Sequence, residues 1–463
     1  MIAALDRPHV VIVGGGLAGL AAAAALADSG AHVTVLEARR KVGGRAASFE
    51  DPVAGGLVDA CQHVAMGCCT NFLDLCRQAG LADALRRDRT LWFIDPEDRR
   101  AACTPSRFLP APLHLAPLLF GMRHFSFREK LALARGMLAL ARWRHVPGAP
   151  RPTALAWLES AGQPDRVIRL FWQPVLESAL GESIDLVDVE PARKVCVDAF
   201  FAHREASDLY VPTAPLGEVF GVRLAEWLAS HGVHVATGCA VTALERDRDG
   251  RVVTVRSDTE TLPCNAVILA VPWKAAARLV PDVVPPADDR LAGSPITAVH
   301  LWFDRDCIDL PHAVLVGRVS QWIFKPEDGP PGYCQVVISA SRALLDGDRE
   351  QLRDTVVAEV RSAFPAARDA ALVASRIVTD PTAVLSVRPG VDAVRPTAGT
   401  AVPNLFLAGD WTATGWPSTM ESAVRSGRLA ATAAAERLGL SCHGLTPDLP
   451  KGLLVRWAIG GRG

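Results

Sequence analysis

The chain has 463 residues, 49% hydrophobic and 21% charged, so it is long and apolar enough to fold as two or more domains and is not a disordered polymer. Lys and Arg number 49 against 50 Asp and Glu, a formal net charge of −1 that gives no overall pull toward nucleic acid or anionic lipid. The 11 cysteines include no C-x-x-C pair and no His/Cys spacing suited to zinc, which argues for a reducing compartment and no metal.

The first element is the most informative. Val10–Val13 is an apolar strand, Gly14, Gly16 and Gly19 follow in G-x-G-x-x-G spacing, and an alanine-rich helix runs to about Ser29. A second strand, Val33–Leu36, ends on Glu37. The first glycine permits a tight turn, the second lets backbone approach a pyrophosphate, and the third lets helix and strand pack closely. The helix N-terminus offers unpaired N–H groups to phosphate, and Glu37 stands where a carboxylate accepts from a ribose hydroxyl. Val10 to Ala27 carries no Asp, Glu, Lys or Arg over 18 residues, the length of a membrane span, but its glycines and short alanines suit close packing instead. Gly43-Gly44-Arg45 comes next. Alone it is an ordinary turn; directly after Glu37 it resembles the flavoproteins with two dinucleotide-binding domains, in which this triplet approaches the FAD pyrophosphate.

From Thr70 to about Arg204 the texture turns helical, with LADALRRD, FREKLALARGMLALARWR and TALAWLESAGQPDRVIRLFWQPVLESAL expected as amphipathic helices. Between them Leu109–Met122 has no acidic or basic residue except His114, and its three prolines predict an irregular loop or a broken helix. A helix over Leu216–His231 precedes short strands at Val233–Ala236 and Val241–Glu245, a hairpin turn at Asp249-Gly250, a strand at Val252–Arg256 and a buried strand at Ala266–Val271. Strands at Pro295–Phe303, Gln321–Phe324 and Gln335–Ser339 and a helix over Asp348–Ser362 follow, a meander suited to flooring a cavity. Asn404–Asp410 is a strand stopping on Gly-Asp, and a helix runs from about Met420 to Leu438. The fold expected is α/β (α+β overall): a Rossmann-like FAD-binding domain from residues 1–70, 206–290 and 395–440, a largely helical substrate domain from 71–205 and 291–394, and a tail at 441–463.

The segments QHVAMGC (62–68), LPAPLHL (109–115), RLFWQPVLESAL (169–180), ASDLYVPTAPL (206–216), SPITAVHLWFDR (294–305) and NLFLAGDWTATGWPSTMESAVRSG (404–427) together resemble the hydroxysqualene dehydroxylases. These are FAD-dependent enzymes of the amine oxidase and phytoene desaturase superfamily, and the resemblance spans about Val10 to Leu438. It implies that FAD is held by Gly14, Gly16, Gly19, Glu37, Gly43, Gly44, Arg45 and Asp410, with the helix beginning at Met420 pointing at the flavin N1–C2=O edge, where negative charge develops on reduction. It also implies reductive removal of the hydroxyl of hydroxysqualene, giving squalene and water on the way to hopanoids. One departure stands out: Asp59-Ala60-Cys61-Gln62-His63 replaces the family's usual Asp-Asn-Gly-Gln-His.

An allylic alcohol leaves only when protonated, so a general acid in a dry pocket is required. His63 is the first candidate, with Asp59 orienting it; Asp208 and Tyr210 come next. Gln62, Trp172, His300, Trp302 and Trp416 are expected in the substrate pocket, although core packing is the competing reading for the aromatic residues and His300. Two other readings remain open: an isoprenoid or carotenoid desaturase, in which hydride flows the other way, and a non-catalytic prenyl-binding protein. No signal peptide is read at the N-terminus, so the expected location is cytoplasmic, peripheral on the inner face of the membrane. Leu109–Met122, flanked by Arg123, His124, Arg128 and Lys130, is either the docking surface or an inner wall of the cavity, with Leu115 and Leu118 as its test positions. The expected partners are a squalene-type isoprenoid, a membrane surface and an electron donor of unspecified identity.

Overall fold

The computed structural model describes residues 7–285, 290–327 and 329–459. Residues 1–6 and 286–289 of the expected cofactor domain, residue 328 of the expected substrate domain and residues 460–463 of the expected tail lie outside the described residues.

A five-stranded parallel sheet has the order His234–Thr237, His32–Glu37, His9–Val13, Ala266–Leu269 and Leu405–Leu407. His9–Val13 sits centrally and is wholly buried, with Val10 level with Val33 on one side and Ala266 on the other. Its strands come from three distant stretches of chain, and a helix pair fastens them. Leu17–Leu26 is buried at every position. Met420–Leu438 crosses it so closely that a Cβ on Gly427 would lie 2.2 Å from the Ala18 carbonyl oxygen. The run of alanines is therefore a packing surface for a second helix as well as for the sheet. The Asp249-Gly250 turn forms as expected and joins Val241–Arg246 to Val252–Ser257, which with Thr261–Pro263 make a separate antiparallel sheet.

The second large sheet has seven strands in the order Leu372–Leu385, Gly293–Phe303, Tyr333–Ile338, Trp322–Phe324, His312–Leu315, Leu91–Ile94 and Arg100–Cys103. Gly293–Phe303, Trp322–Phe324 and Tyr333–Ile338 match the expected meander, and Leu372–Leu385 and His312–Leu315 add two strands that were not expected. The sheet's last two come from the stretch expected to be helical, and LADALRRD is likewise corrected: Ala82–Ala84 is a single turn and Leu85–Asp88 is a strand paired with Leu209–Pro212. Eight residues fit either period, and the partner that decides lies more than a hundred residues away.

Helices cover the cavity side of this sheet. Phe127–Arg142 begins with a capping box, Ser126 accepting from the Glu129 N–H and Glu129 accepting from the Ser126 N–H. Leu109–Met122 is broken as its prolines require, into a turn at Leu113–Leu115 and a short helix at Ala116–Gly121. Three other helices contain widened π-type turns, Ile168–Trp172, Val195–Phe201 and Val219–Arg223. No helix among the described residues is long and apolar enough to cross a membrane.

Candidate active site

The glycines form a cradle in which side chains do not fit. Gly14 has φ +108°, and a Cβ there would lie 2.5 Å from the Ala270 carbonyl oxygen. A Cβ on Gly19 would lie 1.9 Å from the Gly14 carbonyl oxygen. Gly43-Gly44 folds onto this turn: the Gly43 N–H donates to the Gly15 carbonyl at 2.8 Å, and a Cβ on Gly44 would come within 2.9 Å of the Gly16 Cα. Glu37 braces the turn by accepting from the Gly15 N–H at 2.7 Å and the Arg39 N–H at 2.8 Å.

The far end of the chain closes the cradle. Asp410 follows the Leu405–Leu407 strand and is 6% exposed. It pairs with Arg45 through one carboxylate oxygen and accepts from the Ser418 hydroxyl through the other. Arg45 also donates to the Ala383 carbonyl at 2.6 Å. The helix starting at Met420 is capped by Thr419, whose hydroxyl accepts from the Ser422 N–H, so its positive end and Met420 itself face the same space.

That space is one continuous cavity of about 1040 Å³. One end is lined by Gly14, Gly16, Glu37, Gly43, Gly44, Arg45 and Asp410. The other is lined mostly by apolar side chains, among them Leu118, Met122, Phe171, Trp322, Phe324 and Trp416. Cys61, Gln62 and His63 also line the cavity. Gln335 holds their loop, donating to the Asp59 carbonyl at 3.0 Å and accepting from the Gln62 N–H. Burial pushes the Cys61 thiol up to about 12, so the sulfur introduced by the unusual Ala60-Cys61 is a neutral thiol.

Seven expected roles change. His63 lines the cavity as expected, but Asp59 does not orient it: the His63 Nδ1 donates to the Cys61 carbonyl at 2.8 Å. Burial lowers the His63 pKa, so the ring is neutral near pH 7, with Nδ1 protonated and Nε2 an acceptor. In this form its cavity-facing chemistry is that of a neutral ring with no spare proton, and it is not the expected acid. Asp59 instead accepts from the Ser48 hydroxyl at 2.6 Å and the Leu216 N–H at 2.8 Å, tying the loop to the distant helical turn Leu216–Glu218.

Asp208 and Tyr210 lie off the cavity because Leu209, between them in sequence, takes the cavity side and strand neighbours alternate. Asp208 is 1% exposed and paired with Arg87 at 2.5 Å, and the same guanidinium lies 5.9 Å from the Tyr210 ring. Trp172 packs in the core and donates to Gln163 at 2.9 Å, while its neighbour Phe171 reaches the cavity. His300 and Trp302 are buried behind the loop. His300 Nδ1 contacts the Tyr333 hydroxyl at 2.8 Å, burial lowers its pKa to about 4, and the Trp302 ring packs beside both, its centre 6.0 Å from that of His300 and 5.1 Å from that of Tyr333. Trp416 and Gln62 are where they were expected. Not foreseen were His124, Asp380 and the pair Lys194 and Asp198, all of which line the cavity.

Burial raises the Asp59 pKa from 3.8 to about 6, so the folded state binds a proton that the unfolded state has already released. Stability is therefore expected to fall as pH rises from about 4 to about 6. Asp59→Asn should flatten that part of the thermal-unfolding profile; an unchanged slope would exclude Asp59 as its source.

The profile of the flavin-containing amine oxidoreductases matches residues 17–435. The chain belongs to that family. Among curated relatives, a 15-cis-phytoene desaturase of Synechococcus elongatus is 25% identical, covering 92% of this chain and 95% of the relative. A hydroxysqualene dehydroxylase of Rhodopseudomonas palustris is 29% identical over 91% of this chain and 97% of the relative. Among solved structures, an oxidoreductase from Methanosarcina mazei aligns with a TM-score of 0.68 at 16% identity, covering 92% and 100% of the two chains. Cyclohexylamine oxidase from Brevibacterium oxydans aligns with a TM-score of 0.65 at 19% identity, covering 94% and 100%. The fold is that of FAD-dependent oxidoreductases, and the cofactor is FAD. The cradle fits it: bare glycines for the pyrophosphate, Glu37 beside the first turn, and the Arg45–Asp410 pair in front of a helix N-terminus.

Proposed function

We propose that this flavoenzyme removes the hydroxyl of hydroxysqualene reductively, giving squalene and water. The observation that carries the proposal is the single cavity running from the cofactor cradle into an apolar chamber. Its walls suit a long hydrocarbon, and the relatives named for hydroxysqualene and phytoene match the chain nearly end to end. Reduced FAD, when bound, would supply the hydride and, as its second hydrogen, the proton that leaves with the hydroxyl as water. The chain's residues supply the setting. Leu118, Phe171, Trp322 and Phe324 keep water from a developing allylic cation, and the neutral His63 adds no positive charge against it. Anaerobic incubation of the pre-reduced enzyme with hydroxysqualene is expected to reoxidise the flavin and yield squalene stoichiometrically. No squalene, together with phytoene dehydrogenation by the oxidised enzyme, would overturn the proposal in favour of a desaturase.

The same proposal includes delivery from a cytoplasmic membrane face. Leu109–Met122 has two sides: Leu118 and Met122 line the cavity, while Leu109, Leu113 and Phe120 are exposed. Of the two test positions chosen from sequence, Leu118 is a cavity wall and Leu115 is half-buried, so neither probes the outside. His124 also lines the cavity and is held neutral by burial, so it is not a basic flank. The tail helix Leu453–Ala458 joins this side through hydrogen bonds from Arg142 and Arg144 to its last carbonyls, and it exposes Leu453 and Trp457. Exposed Arg107, Arg123, Arg128 and Arg456 accompany the apolar side chains, the pairing an anionic bilayer attracts. Phe120→Asp with Trp457→Asp is expected to cut co-sedimentation with anionic liposomes by at least about fivefold at unchanged FAD content. Unaltered sedimentation would remove the docking surface.

A further inference from the structure

The apolar chamber contains one conspicuous polar feature. Lys194 and Asp198 stand one helical turn apart, with Nζ 2.7 Å from the Asp198 carboxylate. Both line the cavity, and both keep about a fifth of their surface open, 21% and 20%. Among the described residues, the only other ion pair with both partners on the cavity wall is Arg45–Asp410 in the cofactor cradle. The neighbours of Lys194–Asp198 on that wall are Cys68, Cys69, Ala199, Phe200 and Trp416.

Charged groups facing an apolar chamber cost desolvation, and a structural ion pair is more cheaply placed on the outer surface. Here the fold takes steps to keep the pair in place. The π-type turn Val195–Phe201 interrupts the helix at this point, and Val195, Asp198, Ala199 and Phe200 all line the cavity wall. Trp416 holds the ammonium, which lies 4.3 Å from the indole ring centre. Trp416 comes from the turn just before the Met420 helix, so the pair stands where the chamber meets the cofactor end. The indole N–H is buried with no hydrogen-bond partner among the described residues, a second donor at the same place.

We infer that Lys194 and Asp198 form the recognition site for the oxygen of an isoprenoid alcohol. An ammonium donates to the hydroxyl oxygen and the carboxylate accepts its proton, so one alcohol satisfies both members of the pair. A pure hydrocarbon would leave the pair facing apolar surface without compensation, which discriminates against it. The inference deepens the proposed function, on which it rests for the choice of an alcohol as substrate.

The test is binding to the FAD-loaded enzyme in its oxidised state, which cannot turn the alcohol over. Shifts in the visible flavin spectrum are titrated with hydroxysqualene and with squalene. The native protein is expected to bind the alcohol at least about tenfold more tightly than the hydrocarbon. Lys194→Met should bring the ratio close to one by weakening only the alcohol, with flavin content unchanged, and Asp198→Asn should lower the ratio by a smaller factor. Lys194→Arg, which keeps the charge and the donors, should retain most of the preference and serves if the Met variant does not fold. Equal affinities in the native protein, an unaltered ratio in Lys194→Met, or loss of flavin from that variant would each overturn the inference. Squalene formation without a binding preference would sink the site and leave the proposed reaction. A preference lost in Lys194→Met, with no turnover by reduced native enzyme, would sink the reaction and leave the site.

Discussion

Gly19→Ala is expected to give protein that retains essentially no FAD. The added methyl carbon would sit 1.9 Å from the Gly14 carbonyl oxygen, far inside van der Waals contact, and 3.4 Å from the Ala270 side chain. Neither neighbour can yield cheaply. Gly14 is itself pinned, its N–H donating to the Leu36 carbonyl at 2.8 Å and its own Cβ position blocked by Ala270. The helix cannot retreat either, because Leu17–Leu26 is buried throughout and Gly427 of the crossing helix touches Ala18 and Ala22. The clash must push the turn out of shape or separate the helix from the central strand. Overpacking of this kind costs about 1–3 kcal/mol or more, enough to lower the melting temperature and to displace the backbone N–H groups aimed at the pyrophosphate. The ratio of flavin to protein absorbance after purification, with and without added FAD, reads the outcome. Full flavin occupancy in Gly19→Ala would show that this turn is not the cradle.

The features legible in the sequence are those set by local backbone demands. Gly14, Gly19, Gly43 and Gly44 are each required by a close approach that admits no Cβ, and such a demand leaves a mark in the residue type. The helix beginning at Met420 and the broken segment Leu109–Met122 are legible for the same reason, through a Thr cap and three prolines. The substrate end is different, because there the deciding variable is which face of an element meets the cavity. Asp208 and Tyr210 carry the right chemistry but alternate away from Leu209, the residue that lines it. Trp172 and Phe171 are adjacent in a π-type turn, and only the turn's geometry sends one to the core and the other to the cavity. Lys194 and Asp198 read in sequence as a common surface i,i+4 pair; only tertiary packing places them on an internal wall. Strands such as Leu85–Asp88 escape notice because their pairing partners are remote and their own length is too short for periodicity to decide.

The Arg45–Asp410 pair yields the second large effect, and it tests whether both ends of the chain hold the cofactor. Asp410 is 8% exposed at its side chain and is satisfied by Arg45 on one oxygen and Ser418 on the other. Arg45→Ala removes the cation and leaves a nearly buried carboxylate beside the position of the anionic pyrophosphate. Breaking a fully buried pair from one side costs about 3–5 kcal/mol; the Arg45 side chain is 41% exposed, so water offsets part of that, and FAD affinity is expected to drop by at least about 30-fold, measured by titrating apoprotein with FAD. Arg45→Lys should recover only part of this, since a single ammonium cannot hold Asp410 and the Ala383 carbonyl together in the guanidinium's planar geometry. The deciding variant is Arg45→Ala with Asp410→Asn. If the loss comes largely from a stranded carboxylate repelling the pyrophosphate, neutralising Asp410 restores binding by roughly tenfold or more over Arg45→Ala alone. If the two losses simply add, the residues act on the cofactor independently. The view that residues 45 and 410 close the cradle as a unit would then fail.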